Sequence, residues 1–205
     1  MAVKVVLVDA GVGNLRSVHK ALEAAGAEVL RTNQPEDVNN AVAIVLPGVG
    51  AFGGFMRGLE QLNLVEPIQK ASQKGVPLLG ICVGMQALFE LGLEMGRYAG
   101  LGLIKGVVQP FSNDLGIKIP HTGWNQFYSV RENQLFDGLS DSSYAYFNHS
   151  FYCSPVESQD VLAKTEYGIT YASVVNKENL FGVQFHPEKS QRTGLTLLSN
   201  FLRLV

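Results

Sequence analysis

The segment with the clearest chemical pattern is Gly80-Ile-Cys82-Val-Gly84, which joins a predicted buried strand to a predicted helix. A nucleophile on so sharp a turn crowds the residues two before and two after it, and glycines there remove the clash. A thiol at the start of a helix also lies where the helix dipole favours the thiolate. The pattern predicts that Cys82 is a nucleophile and that the N–H of Val83 faces a developing oxyanion. The alternative is a buried, inert cysteine.

A cysteine nucleophile needs a base and a group that orients the base. His186 ends a predicted strand and is followed by Pro187 and Glu188. Pro187 biases His186 towards an extended backbone, and in an extended chain residues two apart point to the same side. Glu188 is therefore expected to orient the imidazole and fix its tautomer. The predicted catalytic set is Cys82, His186 and Glu188.

A glycine-hinged turn, Pro47-Gly48-Val49-Gly50, follows another predicted strand. A backbone N–H of Val49 or Gly50 is a candidate second oxyanion donor, and an ordinary turn is the alternative. The stretch Gly11-Val-Gly13 begins like a dinucleotide-binding loop, but Arg16 occupies the place of the third glycine, which disfavours nucleotide binding. The Cys and His spacings match no zinc motif, so neither a metal nor a cofactor is expected.

The elements that must position these residues change character along the chain. The first half predicts strands over 3–8, 27–30, 42–46 and 76–81, and helices over 15–25, 52–74 (broken at Pro67) and 83–93. The second half predicts short strands, including a hairpin of 169–175 with 180–185, and a closing helix over 191–205. This pattern indicates an α/β, flavodoxin-like fold: a mostly parallel open sheet with helices on both faces and antiparallel hairpins in the C-terminal half.

The composition narrows the class of protein. The chain has 205 residues, of which 46% are hydrophobic and 17% charged, and this excludes a disordered chain. A net charge of −2 provides no strong field for nucleic acid or an anionic membrane. The two cysteines exclude a disulfide-rich scaffold. The expectation is a single domain over 1–205, cytoplasmic, with free thiols and without a membrane span.

Together, Gly80-Ile-Cys82-Val-Gly84-Met-Gln86 and Phe185-His186-Pro-Glu188-Lys-Ser190 resemble the class I (triad) glutamine amidotransferases. The resemblance implies that Cys82 attacks the side-chain amide of glutamine. It implies that His186, oriented by Glu188, transfers the proton to the departing ammonia. The positions implied to bind glutamine are Gln86, Glu94, His149, Ser150 and Phe151.

Three further stretches resemble the branch of this family that serves histidine biosynthesis: Gly13-Asn14-Leu-Arg-Ser17, Leu46-Pro-Gly-Val-Gly-Ala-Phe52 and His121-Thr-Gly-Trp124-Asn125. In that branch the partner is a (β/α)₈ cyclase subunit, which forms a heterodimer with the glutaminase and receives its ammonia. The positions implied to face this partner are Asn14, Trp124, Tyr146 and Lys189.

The sequence departs from the family pattern at two positions, where Ala10 and Phe151 each stand in place of a tyrosine. Two alternatives stay open on the sequence alone. One is an amidotransferase that serves another acceptor, in the anthranilate, aminodeoxychorismate, purine or pyridoxal phosphate pathways. The other is a non-catalytic binding module on the same fold.

Overall fold

The computed structural model describes residues 2–205 as one mixed sheet with helices packed against it. The strands are β1 (Val3–Val8), β2 (Ala27–Thr32), β3 (Ile44–Gly48), β4 (Leu78–Cys82), β5 (Phe89–Gly92), β6 (Tyr98–Ala99), β7 (Ile104–Pro110), β8 (His121–Ser129), β9 (Ser142–His149), β10 (Phe151–Pro155), β11 (Val161–Tyr167), β12 (Ile169–Lys177) and β13 (Leu180–Val183). The helices are α1 (Leu15–Ala24), α2 (Pro35–Asn39), α3 (Phe52–Gln61), α4 (Val65–Gln73), α5 (Val83–Ala87) and α6 (Gln191–Arg203).

The strand order explains how distant parts of the chain meet. Along the sheet the order is β2-β1-β3-β4-β13-β12-β10-β7-β5-β6, and a branch leads from β12 through β11 and β8 to β9. The first five strands in this order are parallel neighbours. Antiparallel pairs dominate from β12 onward, including the predicted β12–β13 hairpin. The predicted α/β class with C-terminal hairpins is confirmed.

The parallel strands are buried because both of their faces are covered. Every residue of β3, β4 and β13 is buried, as expected for parallel strands under helices. Right-handed crossovers place α1 on one face and the helices that lead into β3 and β4 on the other. In agreement, α1 contacts α6, whereas α2 contacts α4.

Two local predictions are wrong. The helix predicted over 83–93 ends at Ala87, because the chain turns into β5, which pairs with the distant β7. The break predicted at Pro67 lies earlier, between α3 and α4. Pro67 sits in the first turn of α4, where a helix needs no bonded N–H, so proline is accommodated there.

No helix within residues 2–205 combines the length and the apolar character that a membrane span requires.

Candidate active site

The candidate nucleophile lies where three parallel strands end side by side. Gly48 at the end of β3 pairs with Cys82 at the end of β4, and β13 pairs with β4 up to Val183. Cys82 has φ 54° and ψ −111°, a conformation that non-glycine residues rarely adopt. Strain of this kind costs on the order of 1–3 kcal/mol and is concentrated at functional sites. The carboxyl edge of parallel strands is also where ligands bind in open α/β sheets.

The glycines around Cys82 are required because three backbone segments pack in direct contact there. A β-carbon on Gly80 would lie 2.6 Å from the carbonyl oxygen of Gly84. A β-carbon on Gly84 would overlap the carbonyl oxygen of Leu46 in β3, and one on Gly48 would lie 2.8 Å from the Gly84 nitrogen. The three backbones pack so closely that only glycine fits, which holds Cys82 at the tip of the turn.

His186 is fixed from both ends of its backbone. Its N–H donates to the Tyr146 carbonyl at 2.9 Å, and its carbonyl accepts from the Ser190 hydroxyl at 2.6 Å. Its Nδ1 donates to Oε1 of Glu188 at 2.9 Å, and the Glu188 side chain is 1% exposed. Because the carboxylate holds Nδ1, the other ring nitrogen is the one available to the thiol.

The surroundings of His186 raise the pKa of its imidazole. Burial, the largest influence, lowers the pKa of His186, but hydrogen bonds to Cys82 and Glu188 and the negative charge of both groups outweigh it. The result is a pKa of His186 raised to about 10. At neutral pH the imidazole of His186 is therefore protonated, the form that can deliver a proton to a departing amine.

The second cysteine has the opposite character. Cys153 lies in β10, is 1% exposed, and forms no disulfide with Cys82. Burial raises the pKa of the Cys153 thiol well above its ordinary value. A buried thiol that resists ionisation is inert.

A cavity of about 230 Å³ collects the predicted residues around Cys82. All of the predicted oxyanion and glutamine-binding positions line it, together with two of the three predicted catalytic residues; Glu188 lies behind His186. The lining residues are Val49, Gly50, Cys82, Val83, Gln86, Glu94, Pro120, Asn148, His149, Ser150, Phe151, His186 and Lys189.

The glutamine-binding candidates are already engaged with one another. The amide nitrogen of Gln86 donates to the Phe151 carbonyl at 3.1 Å, and Nδ1 of His149 donates to the same carbonyl at 2.8 Å. Phe151 therefore acts here through its backbone, which the loss of a tyrosine hydroxyl does not affect. The Glu94 carboxylate accepts from the N–H of Phe52 at 2.6 Å and so ties the start of α3 to the cavity.

A buried polar cluster lies behind this wall of the cavity. Nδ1 of His121 donates to the Tyr171 hydroxyl at 3.1 Å, and the hydroxyl donates to Nε2 of His149 at 3.1 Å. Asn125 lies within 3.3 Å of the other nitrogen of His121. Burial lowers the pKa of His149 to about 3 and that of His121 to about 4, so both rings are neutral at pH 7, each with Nδ1 as donor and Nε2 as acceptor.

These two histidines make the fold sensitive to acid. An unfolded histidine binds a proton near pH 6.5, whereas the folded rings stay neutral down to about pH 4 for His121 and about 3 for His149. Between those limits the unfolded chain binds more protons, so the free energy of unfolding falls as the pH falls, by up to about 1.4 kcal/mol per pH unit for each ring. We expect His121→Asn to reduce the loss between pH 7 and pH 5 by about 2 kcal/mol, measured by urea unfolding. Parallel pH curves for the variant and the parent would contradict this.

The four positions predicted to face a partner lie near this edge of the sheet. Trp124 on β8 pairs with Tyr146 on β9, and Trp124 is 49% exposed. The ammonium group of Lys189 lies 5.6 Å from the centre of the Tyr146 ring, in cation–π geometry. Asn14 precedes α1, which contacts the turn that carries Lys189. An exposed tryptophan packed on a half-buried tyrosine suits an interface, and the role of this pair there stays a prediction.

Sequence reasoning missed four residues at the site: Pro120, Asn148, Tyr171 and Gln184. Gln184 is fully buried and its amide contacts both Cys82 and Gln86. Its signal in the sequence was its place two positions before His186, the predicted base. Within the described residues, no three His, Cys, Asp or Glu side chains are grouped to hold a metal ion.

Comparison with known proteins agrees with this geometry. The family model "Glutamine amidotransferase class-I" matches residues 6–205, and the chain belongs to that family. Its solved structural neighbours include PurLQS from Thermotoga maritima, at a TM-score of 0.79 and 20% identity over 100% of this chain and 99% of that one. A structure titled as a glutamine amidotransferase matches at a TM-score of 0.76, 20% identity and 97% coverage of both chains. At this identity they establish the fold.

Relatives with higher sequence identity indicate which branch of the amidotransferase family the chain resembles most. A protein named imidazole glycerol phosphate synthase subunit HisH, from Aquifex aeolicus, is 48% identical over 201 residues, covering 98% of this chain and 96% of the relative. The protein of the same name from Salinibacter ruber is 47% identical over 203 residues, covering 97% and 93%.

Proposed function

We propose that this chain is the glutaminase subunit of imidazole glycerol phosphate synthase. It hydrolyses glutamine to glutamate and ammonia for a (β/α)₈ cyclase subunit, within a cytoplasmic heterodimer. The observation that carries the proposal is that Cys82 and His186 line one cavity at the carboxyl edge of the sheet, with Glu188 bonded to His186 behind it. The names of the relatives support the choice of synthase, and two free thiols suit a reducing compartment.

Acylation begins with the thiolate of Cys82. The sulfur attacks the carboxamide carbon of glutamine, and the C=O electron pair moves onto oxygen to give a tetrahedral oxyanion. The N–H of Val83 and an N–H of the Val49–Gly50 turn donate to that oxygen. The C–N bond then breaks as the His186 imidazolium protonates the nitrogen, releasing ammonia and leaving a glutamyl thioester on Cys82.

Deacylation uses the same groups in the reverse sense. The imidazole of His186, now neutral, accepts a proton from water as the water oxygen attacks the thioester carbon. The second oxyanion collapses, the C–S bond breaks, and glutamate leaves. The thiolate and the imidazolium are restored, with Glu188 holding the ring orientation throughout.

The cavity wall opposite Cys82 binds the amino-acid end of glutamine. The Gln86 amide nitrogen is occupied by the Phe151 carbonyl, so the Gln86 carbonyl oxygen is the free acceptor for the α-ammonium group. Glu94 adds the negative charge that an α-ammonium group requires. The backbone and hydroxyl of Ser150 receive the α-carboxylate.

The ammonia passes to the cyclase subunit without entering bulk water, because protonation there would remove its nucleophilic electron pair. The cyclase uses it to convert a ribulosyl intermediate into imidazole glycerol phosphate and an aminoimidazole carboxamide ribotide. The aromatic pair of Trp124 and Tyr146, with Lys189 and Asn14, faces that partner.

We expect the chain alone to hydrolyse glutamine slowly and the cyclase subunit with its ribotide bound to accelerate it by roughly 10- to 100-fold. The reason is the oxyanion turn: Gly50 is exposed, has φ +84°, and a β-carbon there would meet no atom within 4 Å. This turn is therefore free to swing its N–H in or out of the cavity. The measurement is glutamate formation by the chain alone, with the cyclase, and with the cyclase and ribotide.

A full rate without the partner would contradict this gating but not the hydrolysis itself. Capture of a chorismate-using enzyme as the cognate partner, in place of the cyclase, would contradict the assignment to this synthase.

A further inference from the structure

Two buried amides connect the nucleophile to the substrate wall. Gln184 follows β13 and is fully buried, and Gln86 in α5 is 3% exposed. The Gln86 nitrogen donates to Oε1 of Gln184 at 3.1 Å, and the Gln184 nitrogen donates to Sγ of Cys82 at 3.7 Å. The backbone N–H of Gln184 donates to the Ser173 carbonyl at 2.9 Å, which anchors it to β12.

The direction of these bonds follows from one backbone carbonyl. The Phe151 carbonyl can only accept, so the Gln86 amide must present its nitrogen to it. The second hydrogen of that nitrogen then meets Gln184, which must present its oxygen. The NH₂ group of Gln184 is left facing the sulfur, so the orientation of both amides is fixed without reference to the hydrogens themselves.

We propose that Gln184 is a further catalytic residue of the glutaminase: its carboxamide N–H donates to Cys82 Sγ, favouring the thiolate and holding it for attack. Gln86 is then also a positioning residue, because it keeps the Gln184 nitrogen turned towards the sulfur. This inference rests on the proposed function and adds to it a hydrogen-bond donor that does not itself line the cavity.

Such a donor matters because the other influences on the sulfur are limited. The helix that begins after Cys82 has only five residues, so fewer aligned peptide dipoles act on the thiolate than the longer predicted helix would supply. His186 contributes a neighbouring positive charge, and Sγ also lies 4.0 Å from the Asn148 carbonyl, an acceptor that favours the protonated thiol. A neutral N–H on an anionic acceptor is stronger than an ordinary hydrogen bond, and burial strengthens it further.

The test measures Cys82 directly, without glutamine. The full chain is alkylated with iodoacetamide across pH 5–10, the thiolate displacing iodide, and mass spectrometry reports each cysteine. Gln184→Met keeps the length of the side chain and removes the donor. We expect the pH of half-maximal alkylation to rise by about one unit and the rate at pH 7 to fall about tenfold. Cys153 serves as the internal control and stays unmodified.

Two more variants keep the result interpretable. Gln184→Glu still accepts from Gln86 but places a carboxylate beside the sulfur, so its shift has the same direction and is larger. Gln86→Met frees the Gln184 amide to turn, and we expect a smaller shift that adds nothing in the double variant with Gln184→Met.

Circular dichroism establishes that each variant is folded before its profile is used, and if Gln184→Met does not fold, the neutral variant Gln184→Leu, which also lacks the donor, decides. A folded Gln184 variant with the parent's pH profile overturns the proposal. Because alkylation consumes no glutamine, that result leaves the proposed function standing. Conversely, a parent chain that alkylates normally but never hydrolyses glutamine with its partner overturns the proposed function alone.

Discussion

Replacing Cys82 with alanine is expected to abolish glutamine hydrolysis while the chain stays folded. Without the sulfur no thioester forms, and neither His186 nor Glu188 can replace it as a nucleophile. Removing a nucleophile of this kind lowers turnover on the order of 10⁴-fold or more. Little stability is lost, because alanine adopts the same backbone and loses only one buried atom. The measurement is glutamate release by the complex with the cyclase.

The same variant separates the two chemical steps of the complex. With ammonium supplied in the medium, synthesis by the cyclase should persist, because its own site lies on the other subunit. Cys153→Ala is the matched control, since it removes the other buried thiol, in β10, and should leave glutamine turnover unchanged. Loss of both glutamine- and ammonia-dependent synthesis in Cys82→Ala would contradict this separation.

Replacing Gly84 with alanine is expected to prevent the native turn from forming. The added β-carbon would overlap the carbonyl oxygen of Leu46, a backbone atom of a fully buried strand that cannot move aside. Overpacking against a backbone in a closed core belongs to the most destabilising class of substitution, about 4 kcal/mol or more. Urea unfolding of the purified variant, or its loss from the soluble fraction, measures the effect.

Gly54→Ala provides the control for that substitution. Gly54 lies in α3, and a β-carbon there meets only the end of the Arg57 side chain, at 3.9 Å. Alanine in a helix interior is better than glycine by about 1 kcal/mol, so this variant should be slightly more stable than the parent. A Gly84→Ala chain as stable as the parent would mean that β3 and the turn do not pack as closely as described.

The turn at Cys82 could be predicted because its requirements are local. The glycines at positions 80 and 84, the apolar run before them and the His-Pro-Glu sequence all express geometry within a few residues. The end of α5 could not be predicted in this way. The chain leaves the helix after Ala87 because β5 gains a parallel partner in β7, and such pairing depends on residues far apart in the sequence.

The buried polar groups behind the cavity also could not be predicted from the sequence, because distant strands bring them together. His149 was identified from a resemblance, but the lowered pKa of its ring comes from burial, and its partners His121 and Tyr171 are contributed by β8 and β12. Nothing in the spacing of these three residues brings them together. The amide of Gln184 lies between these cases, because its closeness to His186 in the sequence suggests a shared site, while its contact with Gln86 depends on the sheet order.

The position of β13 governs when activity can first arise during synthesis. This strand is made after the other twelve within residues 2–205, yet it lies between β4 and β12 and joins the parallel and antiparallel halves of the sheet. A nascent chain that has emerged from the ribosome only as far as residue 179 carries its thiol but has neither the base, His186, nor the strand β13 that precedes it. We therefore expect no release of ammonia until the parallel and antiparallel halves of the sheet are joined.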